Sequence, residues 1–154
     1  MKIIYKQGDL PECTENIIVH GCNAKGVMGS GVAAQIKKKY PNSARAYFNM
    51  KENNKMQLGN FSYSEEDDGK TIINAITQEF YGRNPHIVYV SYGAIAHVFM
   101  DINKGCKIYG YKEIALPKIG AGLANGDWNI IEQIIEKECK DVQPVVYIPY
   151  NVGD

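Results

Sequence analysis

His20-Gly21-Cys22-Asn23-Ala24-Lys25-Gly26-Val27-Met28-Gly29-Ser30-Gly31 is the stretch on which the fold of this chain turns. Before it stands Ile17-Ile18-Val19, a short β-branched run that reads as a strand. After it, Val32, Ala33, Ile36 and Tyr40 fall on one face of a helix predicted from Ser30 to Tyr40, and Ser30 is a favoured N-cap type. The stretch is therefore a glycine-rich connection from a strand into a helix. Pro117-Lys118-Ile119-Gly120-Ala121-Gly122-Leu123-Ala124-Asn125-Gly126-Asp127-Trp128 repeats the plan. It follows a predicted strand at Glu113–Leu116 and enters a helix from Asp127 to about Cys139, whose Ile130, Ile131, Ile134 and Ile135 face inward. Glycines let successive backbone N–H groups approach and point at one ligand. A helix start adds roughly half a positive charge. Two such loops side by side would hold a diphosphate without any basic side chain.

The remaining segments fit the same architecture. Ile3-Ile4-Tyr5 opens with a strand, Pro41 marks a break, and Ser43–Lys51 reads as a second short helix. Gly59–Ser64 and Lys70–Thr77 form a predicted hairpin turned by Asp67-Asp68-Gly69. From about Val88 to Lys104, Ile95, Val98, Phe99 and Ile102 keep helical spacing, and Pro144–Ile148 is a last, buried strand. Strands interleaved with helices, plus one hairpin, predict an α/β fold with a central mixed sheet covered on both faces. Ligands in such folds collect at the carboxyl ends of strands.

Composition bounds the function. At 154 residues the chain is expected to be one domain, 1–154, and 45% hydrophobic residues supply a core. Seventeen basic and seventeen acidic residues balance to zero, which excludes a general electrostatic footprint for nucleic acid or anionic membrane. No run approaches the roughly 20 apolar residues of a membrane span, and Met1-Lys2-Ile3-Ile4-Tyr5-Lys6 is too short and polar for a secretory signal. Cys13, Cys22, Cys106 and Cys139 form no Cys-x-x-Cys pair, and three histidines offer little help, so free thiols in a reducing cytoplasm are expected, with no metal site. No cofactor is called for, and a monomer is expected.

Neither loop contains the P-loop pattern, so a P-loop nucleotidase is unsupported. Gly29-Ser30-Gly31-Val32-Ala33-Ala34 matches a dinucleotide fingerprint and stays an alternative, although about eight residues separate it from Gly21, whereas that fingerprint follows its strand at once.

Gly8-Asp9-Leu10, the stretch from Asn23 to Ala33 and the stretch from Leu116 to Trp128, closed by Val146-Tyr147-Ile148-Pro149-Tyr150, together resemble the macrodomain family. The first loop is most similar to a branch with yeast-type ADP-ribose-1''-phosphate phosphatases, terminal ADP-ribose glycohydrolases and antitoxins that strip ADP-ribose from DNA. The resemblance implies a three-layer α/β/α macrodomain and a site for ADP-ribose. Asp9 would accept from the adenine amino group beside the backbone of Leu10. Gly29, Ser30 and Gly31 would line the distal phosphate and ribose. Gly120, Ala121, Gly122 and Leu123 would cradle the diphosphate, Tyr150 would cover the adenine, and Gly21, Cys22, Met28, Val32, Pro117 and Ile119 would be further binding residues.

Glycohydrolase members of the branch are understood to use a lysine after the fourth strand and an aspartate in the second loop. Here Ile76-Thr77-Gln78-Glu79-Phe80-Tyr81 has no lysine, and the aspartate position is Ala124. His20, Asp127 and Asn23 are left as the expected catalytic residues. His20 would act as general acid or nucleophile on a terminal phosphate, Asp127 would orient water, and Asn23 would hold the distal ribose. The reaction expected is hydrolysis of ADP-ribose-1''-phosphate to ADP-ribose and phosphate. Two alternatives stay open, a binding module without chemistry and a hydrolase that releases ADP-ribose from modified macromolecules. The small ligand is the only partner expected.

Overall fold

A computed structural model describes residues 1–150; positions 151–154 of the expected domain lie outside it. Strands β1 (Ile4–Gln7), β2 (Ile17–Asn23), β3 (Phe61–Glu65), β4 (Thr71–Gln78), β5 (Glu113–Leu116) and β6 (Gln143–Ile148) form one sheet in the order β1-β6-β5-β2-β4-β3. All neighbours run parallel except β3 and β4, which form the antiparallel hairpin. The sheet is therefore mixed, as the sequence implies.

Helices α1 (Gly31–Lys39) and α2 (Pro41–Glu52) cover one face, and α3 (Tyr92–Tyr109) and α4 (Trp128–Glu138) the other. The period-two alternation of β2 assigns its side chains. Ile17 and Val19 pack with Val98, Phe99 and Ile135 beneath α3 and α4. Ile18 packs with Ile36 and Tyr40 of the α1 side, and Cys22 with Tyr47 and Met50 of α2. Val98, Phe99 and Ile102 of α3 are all buried, each contributing about 1.5–3 kcal/mol of apolar transfer.

Several boundaries differ from the sequence expectation. β2 runs on to Asn23, so His20 to Asn23 belong to the strand and the loop proper starts at Ala24. Pro41 does mark a break between two helices, but α2 starts at Pro41 itself and not at Ser43, because the missing N–H costs nothing in the first turn. α3 starts at Tyr92 and not near Val88: the Ser91 hydroxyl caps it by accepting from the Ala94 N–H at 3.1 Å. It continues to Tyr109, where Gly110 at φ +81° ends it in the left-handed region.

Candidate active site

The carboxyl ends of β2, β4 and β5 open into a cleft of about 500 Å³. Its walls are Gly21, Cys22, Asn23 and Val27 to Ala33 from the first glycine loop, Pro117 to Gly120 with Gly122 to Ala124 from the second, and Thr77, Gln78, Tyr81, Gly82 and Arg83 from the end of β4 onward. Among the described residues no carboxylate lines it, and the charged residues that do are Arg83 and Lys118. A smaller hollow of about 340 Å³ lies at the β1/β6 edge, lined by Gly8, Asp9, Glu12, Tyr147, Tyr150 and neighbours.

The first loop is braced by Asn23. Its Oδ1 accepts from the N–H groups of Lys25 at 3.0 Å and Val27 at 3.3 Å, and its Nδ2 donates to the Val27 carbonyl at 2.7 Å. The Tyr47 hydroxyl lies 2.6 Å from the Asn23 carbonyl and 3.0 Å from Oδ1. One amide N–H of Asn23 is left to meet a ligand. Among the described residues, the backbone N–H groups from Met28 to Ala33 have no partner. Ser30 occupies the N-cap of α1 without a side-chain cap bond. The start of α1 therefore presents unfilled donors and its positive dipole end to the cleft, an arrangement that favours negative charge there.

The second loop is built differently. Gly120 sits at φ +78°, and a Cβ there would come within 2.7 Å of the Val90 side chain; a Cβ on Gly126 would come within 2.6 Å of the Gly120 carbonyl. The loop closes on itself through Ala121 N–H to Lys118 O, Asn125 N–H to Gly122 O and Gly126 N–H to Gly120 O. Gly120, Gly122 and Leu123 keep backbone N–H groups without a partner among the described residues. The helix behind this loop is not open. Asp127 is the N-cap of α4, accepting from the Asn129 N–H at 2.9 Å.

The expected site residues sort accordingly. Asn23 and the binding residues Gly21, Cys22, Met28, Gly29, Ser30, Gly31, Val32, Pro117, Ile119, Gly120, Gly122 and Leu123 come together around the cleft. Asp9 and Tyr150 line the smaller hollow instead, with Tyr150 64% exposed, and Leu10 is buried in the core against Tyr147. Ala121 does not line the cleft; it packs on the α3/α4 core.

Two expected catalytic residues stand apart from the cleft. His20 is completely buried and does not line the cleft. Strand parity turns it with Ile18 and Cys22 toward the α1/α2 layer, where its Nε2 lies 2.7 Å from Asn74 Oδ1. Asn74 in turn donates to the Ser43 carbonyl of α2 at 2.9 Å and to the Ser62 hydroxyl at 3.1 Å. Burial lowers the His20 pKa to about 4, so the ring is neutral near pH 7. Cys22 Sγ lies 3.9 Å from His20 Nδ1, but burial pushes the thiol pKa up, so the pair is a neutral core contact. Asp127 is spent on its cap and also stands outside the cleft. No cluster of three or more His, Cys, Asp or Glu side chains able to hold a metal occurs among the described residues.

Thr77, Gln78, Gly82, Arg83 and Lys118 also line the cleft and were not among the expected site residues. The available signal was sheet order: β4 lies beside β2, so the segment after β4 must open beside the first loop. Thr77 is the extra residue of a register shift, since Cys22 pairs with Ile76 and Asn23 with Gln78. Its buried hydroxyl has no hydrogen-bond partner among the described residues.

The sequence profile of the Macro domain family matches residues 19–135. The chain belongs to the Macro domain family. This macrodomain is 28% identical over 153 residues to the DNA ADP-ribosyl glycohydrolase of Mycobacterium tuberculosis; the match covers 96% of this chain and 42% of that protein, so the chain spans less than half of that relative's length. It is 28% identical over 144 residues to the ADP-ribose 1''-phosphate phosphatase of Candida albicans, covering 88% and 92% of the two chains. The solved macrodomain of Mycobacterium tuberculosis DarG superposes with a TM-score of 0.81 at 27% identity, covering 96% of this chain and 97% of that one. The three-layer α/β/α arrangement is thus the macrodomain fold, and these named relatives are hydrolases of ADP-ribose derivatives. Ala124, where the glycohydrolase pattern implies an aspartate, lines the macrodomain's cleft. No helix among the described residues is long and apolar enough to cross a membrane.

Proposed function

We propose that this macrodomain, as a single domain, binds ADP-ribose and hydrolyses ADP-ribose-1''-phosphate to ADP-ribose and phosphate. The observation that carries this reading is a cleft that, among the described residues, offers two sets of unpartnered backbone N–H groups and two cationic residues, with no carboxylate in its walls. Such a surface suits a small ligand bearing three phosphate groups. The adenine belongs to the hollow of Asp9 and Tyr150, the diphosphate to the α1 start and the amides of Gly120, Gly122 and Leu123, and the distal ribose to the free N–H of Asn23.

Water attacks the terminal phosphorus, the bond from phosphorus to O1'' breaks, O1'' takes a proton and inorganic phosphate leaves. Phosphoryl transfer through a loose transition state asks mainly for positioning and charge stabilisation. Backbone amides and a cation supply both, and no step passes through His20 or Asp127. A second reading is binding without turnover. It is favoured by the same absence of a carboxylate, and of a lysine between Ile76 and Tyr81.

The test is calorimetric titration with ADP-ribose together with phosphate release from ADP-ribose-1''-phosphate. Binding with release above a Gly29→Val control supports the enzyme. Binding with the compound intact leaves the binding module. Release of ADP-ribose from a modified protein or nucleic acid, with the 1''-phosphate untouched, would replace the phosphatase by the de-ADP-ribosylating alternative. No binding by folded protein overturns all three.

A further inference from the structure

The cleft has a direction set by strand order. The hollow of Asp9 and Tyr150 lies at the β1/β6 edge, the two glycine loops follow β2 and β5, and Tyr81, Gly82 and Arg83 follow β4. From β6 to β4 is three strand spacings, about 14 Å. A ligand with its adenine at the first edge and its diphosphate between the loops therefore brings its distal sugar to the β4 end. Lys118 belongs to the second loop, beside the diphosphate. Lys25 is paired with Glu79 at 3.2 Å. Arg83 is the cleft's cation at the far end, and it enters no ion pair among the described residues.

Both neighbours of Arg83 are fixed. A Cβ on Gly82 would come within 2.3 Å of the Tyr89 hydroxyl, so the chain passes close to that ring. The Asn84 N–H donates to that same hydroxyl at 3.2 Å. Asn125 Nδ2 donates to the carbonyls of Asn84 at 2.9 Å and Ile87 at 2.8 Å. The Tyr89 N–H closes the other side onto the Ala124 carbonyl at 2.8 Å. The segment bearing Arg83 is thus clipped to the diphosphate loop, and Asn125 stands at φ +60° to make the clip.

We propose that Arg83 reads the phosphate on the distal sugar, making it the specificity-determining residue for a 1''-phosphorylated ligand over ADP-ribose, and that Asn125 is the positioning residue that holds it there. Guanidinium recognises phosphate oxygens with paired donors in a fixed fork. The proposal rests on the ADP-ribose reading above.

The experiment titrates ADP-ribose and ADP-ribose-1''-phosphate into wild type, Arg83→Gln, Arg83→Lys and Asn125→Gly at two salt concentrations. Glycine accepts the left-handed backbone at 125, so that variant deletes the clip without adding strain. The expected result is a wild-type preference for the phosphorylated ligand that falls about tenfold or more in Arg83→Gln, by less in Arg83→Lys, and partway in Asn125→Gly. The salt dependence of that preference falls with it. If wild type binds ADP-ribose but the affinity ratio is the same in Arg83→Gln, or both ligands weaken equally, Arg83 is not the reader and the ADP-ribose reading survives. If Asn125→Gly alone leaves the ratio unchanged, its positioning role falls. If folded wild type binds neither ligand, the proposal and the reading beneath it fail together.

Discussion

The two glycine loops look alike in sequence, yet the glycines before α1, Gly29 and Gly31, and the pair Gly120 and Gly126 of the second loop are used differently. In the first, a Cβ on Gly29 would meet nothing within 4 Å, and one on Gly31 would meet only the tip of Leu123 at 3.7 Å. Its glycines keep space open in front of a helix start whose donors are unfilled. In the second, Gly120 and Gly126 are pressed against Val90, Ile131 and each other's backbone, and the helix start behind them is plugged by Asp127. Its glycines allow close packing, which frames a few amides at the rim. Glycine is thus absent-side-chain space at Gly29 and close packing at Gly120 and Gly126. The negative charge expected at an anion site comes to α1, because a capping carboxylate at α4 already satisfies that end.

This contrast can be broken most sharply at Gly126. Gly126→Ala puts a methyl group against a backbone carbonyl that cannot yield, and a loss of about 3 kcal/mol is expected in urea unfolding. A neutral result would mean that the second loop is as open as the first.

Next in size comes the strand that feeds the first loop. His20 is neutral in the folded protein, with its pKa lowered to about 4 from 6.5 by burial. The unfolded chain takes up a proton on His20 as pH falls through the ordinary imidazole range, and the folded chain does not. The associated stability is present in full above pH 6.5 and is lost as pH falls toward 4. Urea midpoints should therefore drop across that window, and replacing His20 by Gln should flatten the drop. Phosphate release, if present, should show no inflection traceable to His20. An inflection that vanished with the histidine would return it to catalysis.

Asp127→Ala should cost about 1 kcal/mol through loss of the α4 cap, while Asp127→Ser should leave stability nearly intact. If instead both variants lost ligand turnover without destabilising the fold, Asp127 would belong to the chemistry. The smallest effect on stability is expected at Gly29. Gly29→Ala should shift unfolding by no more than about 0.5 kcal/mol, yet weaken ADP-ribose binding severalfold by filling the space in front of the α1 donors. Equal losses at Gly29 and Gly126, in both stability and binding, would erase the distinction between the loops.

The fold was legible for a local reason. Ile17-Ile18-Val19 before a glycine run, and Val32, Ile36 and Tyr40 after it, can be satisfied only by a buried strand leading to an amphipathic helix. The same reasoning found most of the cleft, because its walls are backbone loops whose position follows from the elements they join. It failed for His20, since a strand end brings a residue near a site without saying which face it takes. Two residues along, Cys22 shares that face with His20, yet it reaches the cleft because it stands closer to the strand's end. It failed for Asp127 as well, where one carboxylate was offered two roles and the helix took it.

From the sequence alone came the α/β class, the strand-loop-helix units and the glycine loops as ligand-facing backbone, all consequences of periodicity and local conformational preference. Only the tertiary structure decided that His20 is core, that one helix start is open and the other capped, and that Arg83 joins the cleft. Those facts depend on which strands lie side by side and which face each side chain takes. Both are settled by packing between segments far apart in the chain.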